Sequence, residues 1–537
     1  MPADGFIRIS SPAGDRVIPV QDPALSLAEI LAAGGLPLNT RCCLRGLCRG
    51  CTIVVAEGTF LEGETQCLVQ PGSPREVLAC GCRSVADGSL RLSIPPKSLL
   101  SHPPVVVSDF RTEIPAGCDP IFSRWKEVPL GVAVDLGTTT VALLLAELGS
   151  GRILARASAL NAQVRSGDNV LTRIYLCQQD KSRIAGLQRE FWNDTFHPLF
   201  EEVLKTSGAT RDQVAGIVVA GNTTMLHLAA GEDPTPLGTV PFTPLFLNQR
   251  VLGLEIAGHE VILLPGISAY VGADIAAGAI CCASAYGESP RLLVDAGTNG
   301  EILLSGPRGH LACATAAGPA FEGCGLTCGM RAADGVVGRI RLESDPFGVS
   351  LEVIGAGEAT HGITGSAYID FLAEGRSAGL LEENGRFSKD FVEAHPGWFS
   401  REETGLAFLL RPERPHLRIS EVDVALLLQA KSAIAAGVLT LLERQGLRPE
   451  EIERVYLAGG FGLHLSVPHA IACGLLPGFR DDQIEAVGNT SLGGAYLAML
   501  DQTLAAEMDA LRSGVETVEL NLDPGFEDRY LDHLALP

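Results

Sequence analysis

The chain has 537 residues, of which 46 % are hydrophobic and 61 are glycine, while aromatics make up 5 %. This balance excludes a disordered or fibrous protein and points to a multi-domain α/β chain rich in tight turns. The formal charge is −22, from 41 basic and 63 acidic side chains, which argues against nucleic acid or an anionic membrane as partner. Residues 1–97 carry nine basic and nine acidic side chains, so nearly the whole deficit lies beyond them. The N-terminus, MPADGFIRIS, lacks a basic segment followed by an apolar one, and apolar runs such as VALLLQAKSAIAAGVLTLL are broken by charge. A cytoplasmic location without a membrane span is the expectation.

In chain order, residues 5–97 read as a small β-rich domain. FIRIS and VIPV read as strands of a hairpin. SLAEILAAGG reads as a helix with Ser26 as N-cap, Glu29 three residues on and a glycine stop. CTIVVAEGTF and SLRLSIP read as further strands. Hairpin, helix, cysteine loop and strands form the order of a β-grasp ferredoxin.

Seven of the 15 cysteines fall between Cys42 and Cys82. Without export, such thiols point to metal ligation or burial rather than disulfides. In RCCLRGLCRGC, Cys43, Cys48 and Cys51 fit C-x4-C-x2-C, and Cys42, Cys48 and Cys51 fit C-x5-C-x2-C. Three thiolates on one tight loop plus a distant fourth is the plant-type [2Fe–2S] arrangement. Gly46 and Gly50 would let backbone N–H groups approach the sulfurs. The fourth candidate is Cys80, separated from Cys51 by 28 residues, at a strand end. Cys67, expected in a polar loop, and Cys82, expected to point away from Cys80, compete with it. Zinc is the alternative, but zinc ribbons usually supply a second C-x2-C, whereas here the second half is C-x-C. Arg41, Arg45 and Arg49 punctuate the loop as charge compensation, a docking patch or plain solvated side chains.

Residues 98–129 are Pro-rich and irregular and read as a linker. Residues 130–537 contain a diverged repeat. GVAVDLGTTTVALLL and RLLVDAGTNGEILL share strand–D-x-G-T–strand, and their aspartates, Asp135 and Asp295, stand 160 residues apart. Two copies at that separation suggest a duplicated, actin-like (ribonuclease H-like) fold with two lobes, roughly 130–290 and 291–537, and a cleft between them. In each turn the glycine permits a sharp reversal and the hydroxyls and N–H groups can face a phosphate. The candidates are Gly137, Thr138 and Thr139, and Gly297, Thr298 and Asn299. Asp135 and Asp295, as catalytic candidates, can hold Mg²⁺ through water or orient an attacking water. The later turn AGGFG follows a helical stretch closed by Gly446, and its Gly459 and Gly460 would let base and ribose lie against backbone. Asn222 and Asp274 sit in similar turns and are candidates to join the site. Asn161 and Asp168 read as either cleft-lining or turn and cap residues. Cys313, Cys324 and Cys328 read as incidental thiols, Cys281 and Cys282 as part of a closely packed small-residue helix, and His464 as structural. No P-loop or Rossmann fingerprint is present.

The stretches RCCLRGLCRGC, VLAC, AVDLGTTTV, SALNAQVRSGDNVLTRI, VVAGNTTM, LLPGISAYVGADIAAG, LLVDAGTNGEI, ATAAGPAFEG, YLAGGFG and VGNTSLGGA, taken in order, run from residue 41 to residue 495. As an ordered set they resemble the reductive activators of corrinoid-dependent enzymes, which join a [2Fe–2S] ferredoxin to an actin/Hsp70/sugar-kinase-like ATPase. The resemblance implies an ATP-dependent activator that passes one electron to Co(II) cobalamin of a corrinoid methyl-transfer protein, restoring Co(I). It implies a [2Fe–2S] cluster, ATP and Mg²⁺ as cofactors, a corrinoid protein and a low-potential electron donor as partners, and a homodimer as a plausible assembly. The family's cysteine pattern, with a basic–Gly pair aligned on Arg45–Gly46, places the first ligand at Cys42, so that Cys42, Cys48, Cys51 and Cys80 hold the cluster. Family members often carry a longer segment, a small middle domain, between ferredoxin and ATPase, whereas here only about 32 residues, 98 to 129, separate them, so the family's inter-domain geometry does not carry over directly. The alternatives are a small-molecule kinase with an appended ferredoxin, an activator of another radical or dehydratase enzyme, and a redox-sensing ATP-gated binding protein.

Overall fold

A computed structural model describes residues 5–11, 14–38, 50–85, 89–95, 98–99, 108–112, 119–167, 169–253, 258–285, 289–297, 299–323, 325–355, 362–402, 404–459 and 465–537. The N-terminal unit is a seven-stranded sheet. Phe6–Ser10 pairs antiparallel with Arg16–Pro19 and parallel with Ser89–Ser93. The long strand Thr52–Glu62 lies antiparallel to Ser89–Ser93 and also receives Thr65–Val69, Arg75–Leu78 and Cys82–Ser84. Alternation sends Ile7 and Ile9 into the core and Arg8 out. The helix Leu27–Ala33 covers this core. Its capping box is formed, with Glu29 accepting from the Ser26 N–H at 2.8 Å, and Gly34 closes it. Cys67 is not in a loop. It lies on the strand Thr65–Val69 opposite Phe60, because its polar neighbours occupy the exposed face of a sheet edge.

Two six-stranded sheets follow. In the first, Leu130–Leu136, Thr140–Glu147 and Ile153–Leu160 form an antiparallel meander. Val214–Gly221 adds in parallel beside Leu130–Leu136, and Glu260–Leu263 in parallel beyond it. In the second, Arg291–Ala296, Gly300–Gly306 and Gly309–Thr315 form the meander. Arg454–Ala458 and Ile484–Gly488 add in parallel on the other side of Arg291–Ala296. The same topology built twice is the physical content of the sequence repeat. Both lead strands are continuous apolar runs because helices cover both sheet faces. Helix Glu421–Gln445 starts on a Ser420–Asp423 capping box and ends on Gly446 at φ +64°. Among the described residues it is the one helix long and apolar enough to cross a membrane, and it is largely buried in the second lobe's core.

The described part of residues 98–129 packs against both lobes. Phe110 lies 5.7 Å from the Tyr496 ring, and Ile121 donates to the Met499 carbonyl at 3.2 Å. Phe122 is buried where Gly216 leaves room, since a Cβ there would lie 2.2 Å from the ring.

The lobes meet where helix Ala273–Cys281 crosses helix Thr490–Leu500. A Cβ on Gly494 would stand 1.9 Å from the Ala277 carbonyl oxygen, and one on Gly493 2.5 Å from the Cys281 sulfur. Backbone touches backbone here, so neither helix can yield by a rotamer change. We expect Gly494→Val to destabilise the fold by about 3 kcal/mol or more. Thermal melting checks this, and a melting temperature equal to the parent's would show that the crossing has room to spare.

Candidate functional site

The two D-x-G-T turns face one cavity of about 530 Å³, which Gly459, Asn222 and Asp274 also line. The first turn is held from behind. Gly137 is required where a Cβ would lie 2.6 Å from the Thr140 carbonyl oxygen. The Asn161 side chain donates to the Gly137 carbonyl at 2.9 Å, and its backbone N–H donates to the Thr139 carbonyl at 2.8 Å. The fully buried Arg173 donates to the Thr138 carbonyl, to the Gly167 carbonyl at 2.9 Å and to Gln163 Oε1 at 2.9 Å. Asn222 caps helix Thr223–Ala230 and donates to Thr138 Oγ1 at 2.9 Å. Asn161 is therefore both cap and brace. Arg173 and Gln163 carried no separate signal in the sequence, although both lie in the family-like stretch SALNAQVRSGDNVLTRI. Thr298, Gly460, Asp168, Cys324 and His464 lie outside the described residues.

The two repeat aspartates have different surroundings. Asp135 accepts from Asn489 Nδ2 at 2.9 Å and Ser491 Oγ at 2.7 Å. Burial raises its pKa, and these two donors pull it back. Asp295 has carboxylates for neighbours. Burial, then the charges of Asp274, Asp135 and Glu322, push it up to about 7. Asp274, at the start of helix Ala273–Cys281, is pushed up to about 7 by burial, against the pull of the Ile275 N–H at 2.9 Å. Glu301 sits directly across the hairpin from Asp295, and burial and these neighbours hold its carboxyl well above the usual range.

Like charges opposed across a hairpin are unfavourable unless protons or a cation neutralise them. Among the described residues no group of three or more His, Cys, Asp or Glu stands ready to cage a metal. Such a pocket fits a divalent cation that arrives on a polyphosphate and is held largely through water and phosphate oxygens. Glu301, Asn489 and Ser491 were invisible as site residues because nothing in their local spacing marks them, although Asn489 and Ser491 fall within VGNTSLGGA.

Of the cysteine-loop residues, Cys42, Cys43, Cys48 and the arginines 41, 45 and 49 lie outside the described residues. Cys51 ends the loop and Cys80 lies in the turn Ala79–Gly81. The Ala79 N–H donates to the Cys51 carbonyl at 3.0 Å, so the fold brings these two cysteines' backbones together. Cys82 is fully buried in the small core, and Cys67 faces the Glu62 carboxylate at 3.9 Å. The pair Cys51–Cys80, with Cys80 still partly accessible, fits the rim of a thiolate-ligated centre. Cys281, Cys313 and Cys328 are buried thiols, and Cys281 packs in the helix crossing as a small residue.

Comparison with known proteins agrees with this architecture. The model described as the C-terminal domain of RACo, the ASKHA domain, matches residues 289–537, and that of the RACo middle region matches residues 130–284. The residues read from the sequence as the first lobe thus match the family's middle region. The chain is 28 % identical over 611 residues to the corrinoid activation enzyme RamQ of Eubacterium limosum, covering 98 % of each. It is 26 % identical over 404 residues to the [Co(II) methylated amine-specific corrinoid protein] reductase of Methanosarcina barkeri, covering 70 % of each. A solved reductive activator for corrinoid, iron–sulfur protein superposes with a TM-score of 0.72 at 26 % identity, over 99 % of this chain and 98 % of that one. The ASKHA-type fold implies ATP binding. With the two models together spanning residues 130–284 and 289–537, the chain belongs to the RACo family, the reductive activators of corrinoid proteins.

Proposed function

We propose that this protein is an ATP-dependent reductive activator that passes one electron to the inactive Co(II) form of a corrinoid methyl-transfer protein and restores Co(I). The observation that carries the proposal is the union, in one chain, of a carboxylate-lined cleft between duplicated lobes and a β-grasp unit that sets Cys51 beside the turn carrying Cys80. Residues 1–97 are the ferredoxin-like unit, 98–129 a tether and 130–537 the ATPase. Cys42, Cys48, Cys51 and Cys80 hold a [2Fe–2S] cluster, which supplies one-electron chemistry when bound. Asp135 and Asp295 orient the Mg²⁺-bound phosphates and the attacking water. Gly137, Thr138 and Thr139 grip the phosphates on one side, and Gly297, Thr298 and Asn299 grip them on the other. Gly459 and Gly460 line the nucleoside. Asp135 reads the nucleotide and, through Asn489 and Ser491, is tied to the helix that crosses between the lobes. Nucleotide binding can therefore bias the lobe angle. The partners are a corrinoid protein and a low-potential electron donor, and a homodimer fits the family.

The test is anaerobic. The reduced, iron-loaded protein is mixed with a Co(II) corrinoid protein, with and without ATP and Mg²⁺, and the Co(I) absorption is followed. ATP-dependent growth of the Co(I) band is expected. Its absence with every corrinoid protein encoded nearby would refute the proposal.

A further inference from the structure

The cleft is short of positive charge. Among the described residues that line it, the cationic side chains are Arg331 and Arg339, facing six acidic ones. A triphosphate adds further negative charge, so the protein's own cations must matter for holding it. The two arginines are placed differently. Arg339 lies on strand Val336–Ser344 in register with Glu352 on Phe347–Val353. Arg331 donates to Glu322 Oε2 at 2.9 Å, with both side chains about four-fifths buried. Glu322 is in turn one of the carboxylates whose charge reaches Asp295. Arg331 and Glu322 thus line the same cavity as the two D-x-G-T turns.

The fold builds this pair deliberately close. Glu322 ends the short turn Pro319–Glu322, and Gly323 follows at φ +75°. Gly323 lies against Gly329, where a Cβ would come within 2.1 Å of the Gly323 carbonyl oxygen. The Met330 N–H is fixed to the Ile363 carbonyl at 2.8 Å. Two glycines in backbone contact thus set Glu322 beside Arg331 at the cavity wall. ATAAGPAFEG, which contains Glu322, has no role in the proposed function.

Resting on the reading of this cavity as an ATP site, we infer that Arg331 is a phosphate-contacting residue held in reserve by Glu322, and that it transfers its guanidinium from Glu322 to the terminal phosphate when Mg²⁺–ATP binds. A planar fork that leaves one carboxylate for phosphoryl oxygens gains geometry as well as charge, which a lysine would not supply. Glu322 keeps the arginine oriented in the nucleotide-free protein and competes with the nucleotide for it.

The experiment compares Arg331→Gln and Glu322→Gln in the full-length protein, by calorimetric titration with Mg²⁺–ATP and Mg²⁺–ADP and by steady-state hydrolysis. Arg331→Gln should lower ATP affinity about ten- to a hundredfold, the range of a charged hydrogen bond, while ADP binds nearly as before. Its hydrolysis rate should fall as well. Glu322→Gln should bind ATP as tightly as the parent or more tightly. A structural ion pair predicts something else: both variants would lose ATP and ADP affinity alike, and that result overturns the inference. So does an Arg331→Gln protein that binds ATP like the parent. If Arg331→Gln does not fold, Arg331→Lys carries the same comparison, with a smaller loss confined to ATP. A parent protein that binds neither nucleotide would instead remove the ATP-site reading, and this inference with it.

Discussion

Cys80→Ser is expected to lose nearly all bound iron and sulfide and to reduce ATP-dependent Co(I) formation to background, while still hydrolysing ATP. Cys51→Ser should do the same. Both cysteines sit where the Ala79 N–H to Cys51 carbonyl bond joins the end of the cysteine loop to the turn Ala79–Gly81. A serine oxygen is a poor substitute for a thiolate at an iron–sulfur centre. The control is Cys82→Ser. Cys82 is fully buried among apolar side chains, so its replacement should cost about 1–2 kcal/mol of stability for a buried hydroxyl and leave the iron content unchanged. Iron and sulfide analysis, the visible spectrum and melting curves separate these outcomes. A Cys82→Ser protein without iron, beside a Cys80→Ser protein that keeps it, would reverse the assignment.

Asp295→Asn should reduce the rate of ATP hydrolysis by a hundredfold or more, on the order of losing one preorganised electrostatic group, and at the same time raise the melting temperature of the nucleotide-free protein above pH 7. The second effect follows from linkage. Asp295 has its pKa raised from 3.8 to about 7 by burial and by the charges of Asp274, Asp135 and Glu322. An unfolded chain loses that proton near pH 4, whereas the folded protein holds it until about pH 7. The carboxyl therefore opposes folding increasingly as pH climbs from about 4 to 7, and fully above that. Asparagine removes the charge and the penalty with it. Below pH 4 the melting temperatures of parent and variant should converge. A variant that is inactive and also less stable at pH 8 would show that Asp295 is held by donors rather than crowded by charge. A stabilised, inactive variant is the signature of an active-site group kept at a cost to stability.

Much of the architecture can be read directly from the string because it rests on local rules. The Ser26–Glu29 capping box, the Gly446 stop and the alternation in FIRIS each report a short-range preference, and each is realised. The repeated strand–D-x-G-T–strand signals two sheets of the same topology because the turn's tight geometry can be met by few residues. Cys67 was misplaced for the converse reason. A polar edge strand with one exposed face resembles a loop until its partner, Thr52–Glu62, is known.

The chemistry at the cleft divides along the same line. The linear chain marks out the two D-x-G-T turns and the cysteine-rich stretch, since those demands are made of neighbouring residues. Three-dimensional packing alone distinguishes Asp135, gripped by Asn489 and Ser491 from 354 and 356 residues away, from Asp295, crowded by Asp274 and Glu301. It likewise places buried Arg173 behind the first D-x-G-T turn and Arg331 beside Glu322. Burial and partner charge are properties of the folded assembly. Two aspartates in identical motifs therefore receive different proton affinities, and the difference arises only when distant segments close around them.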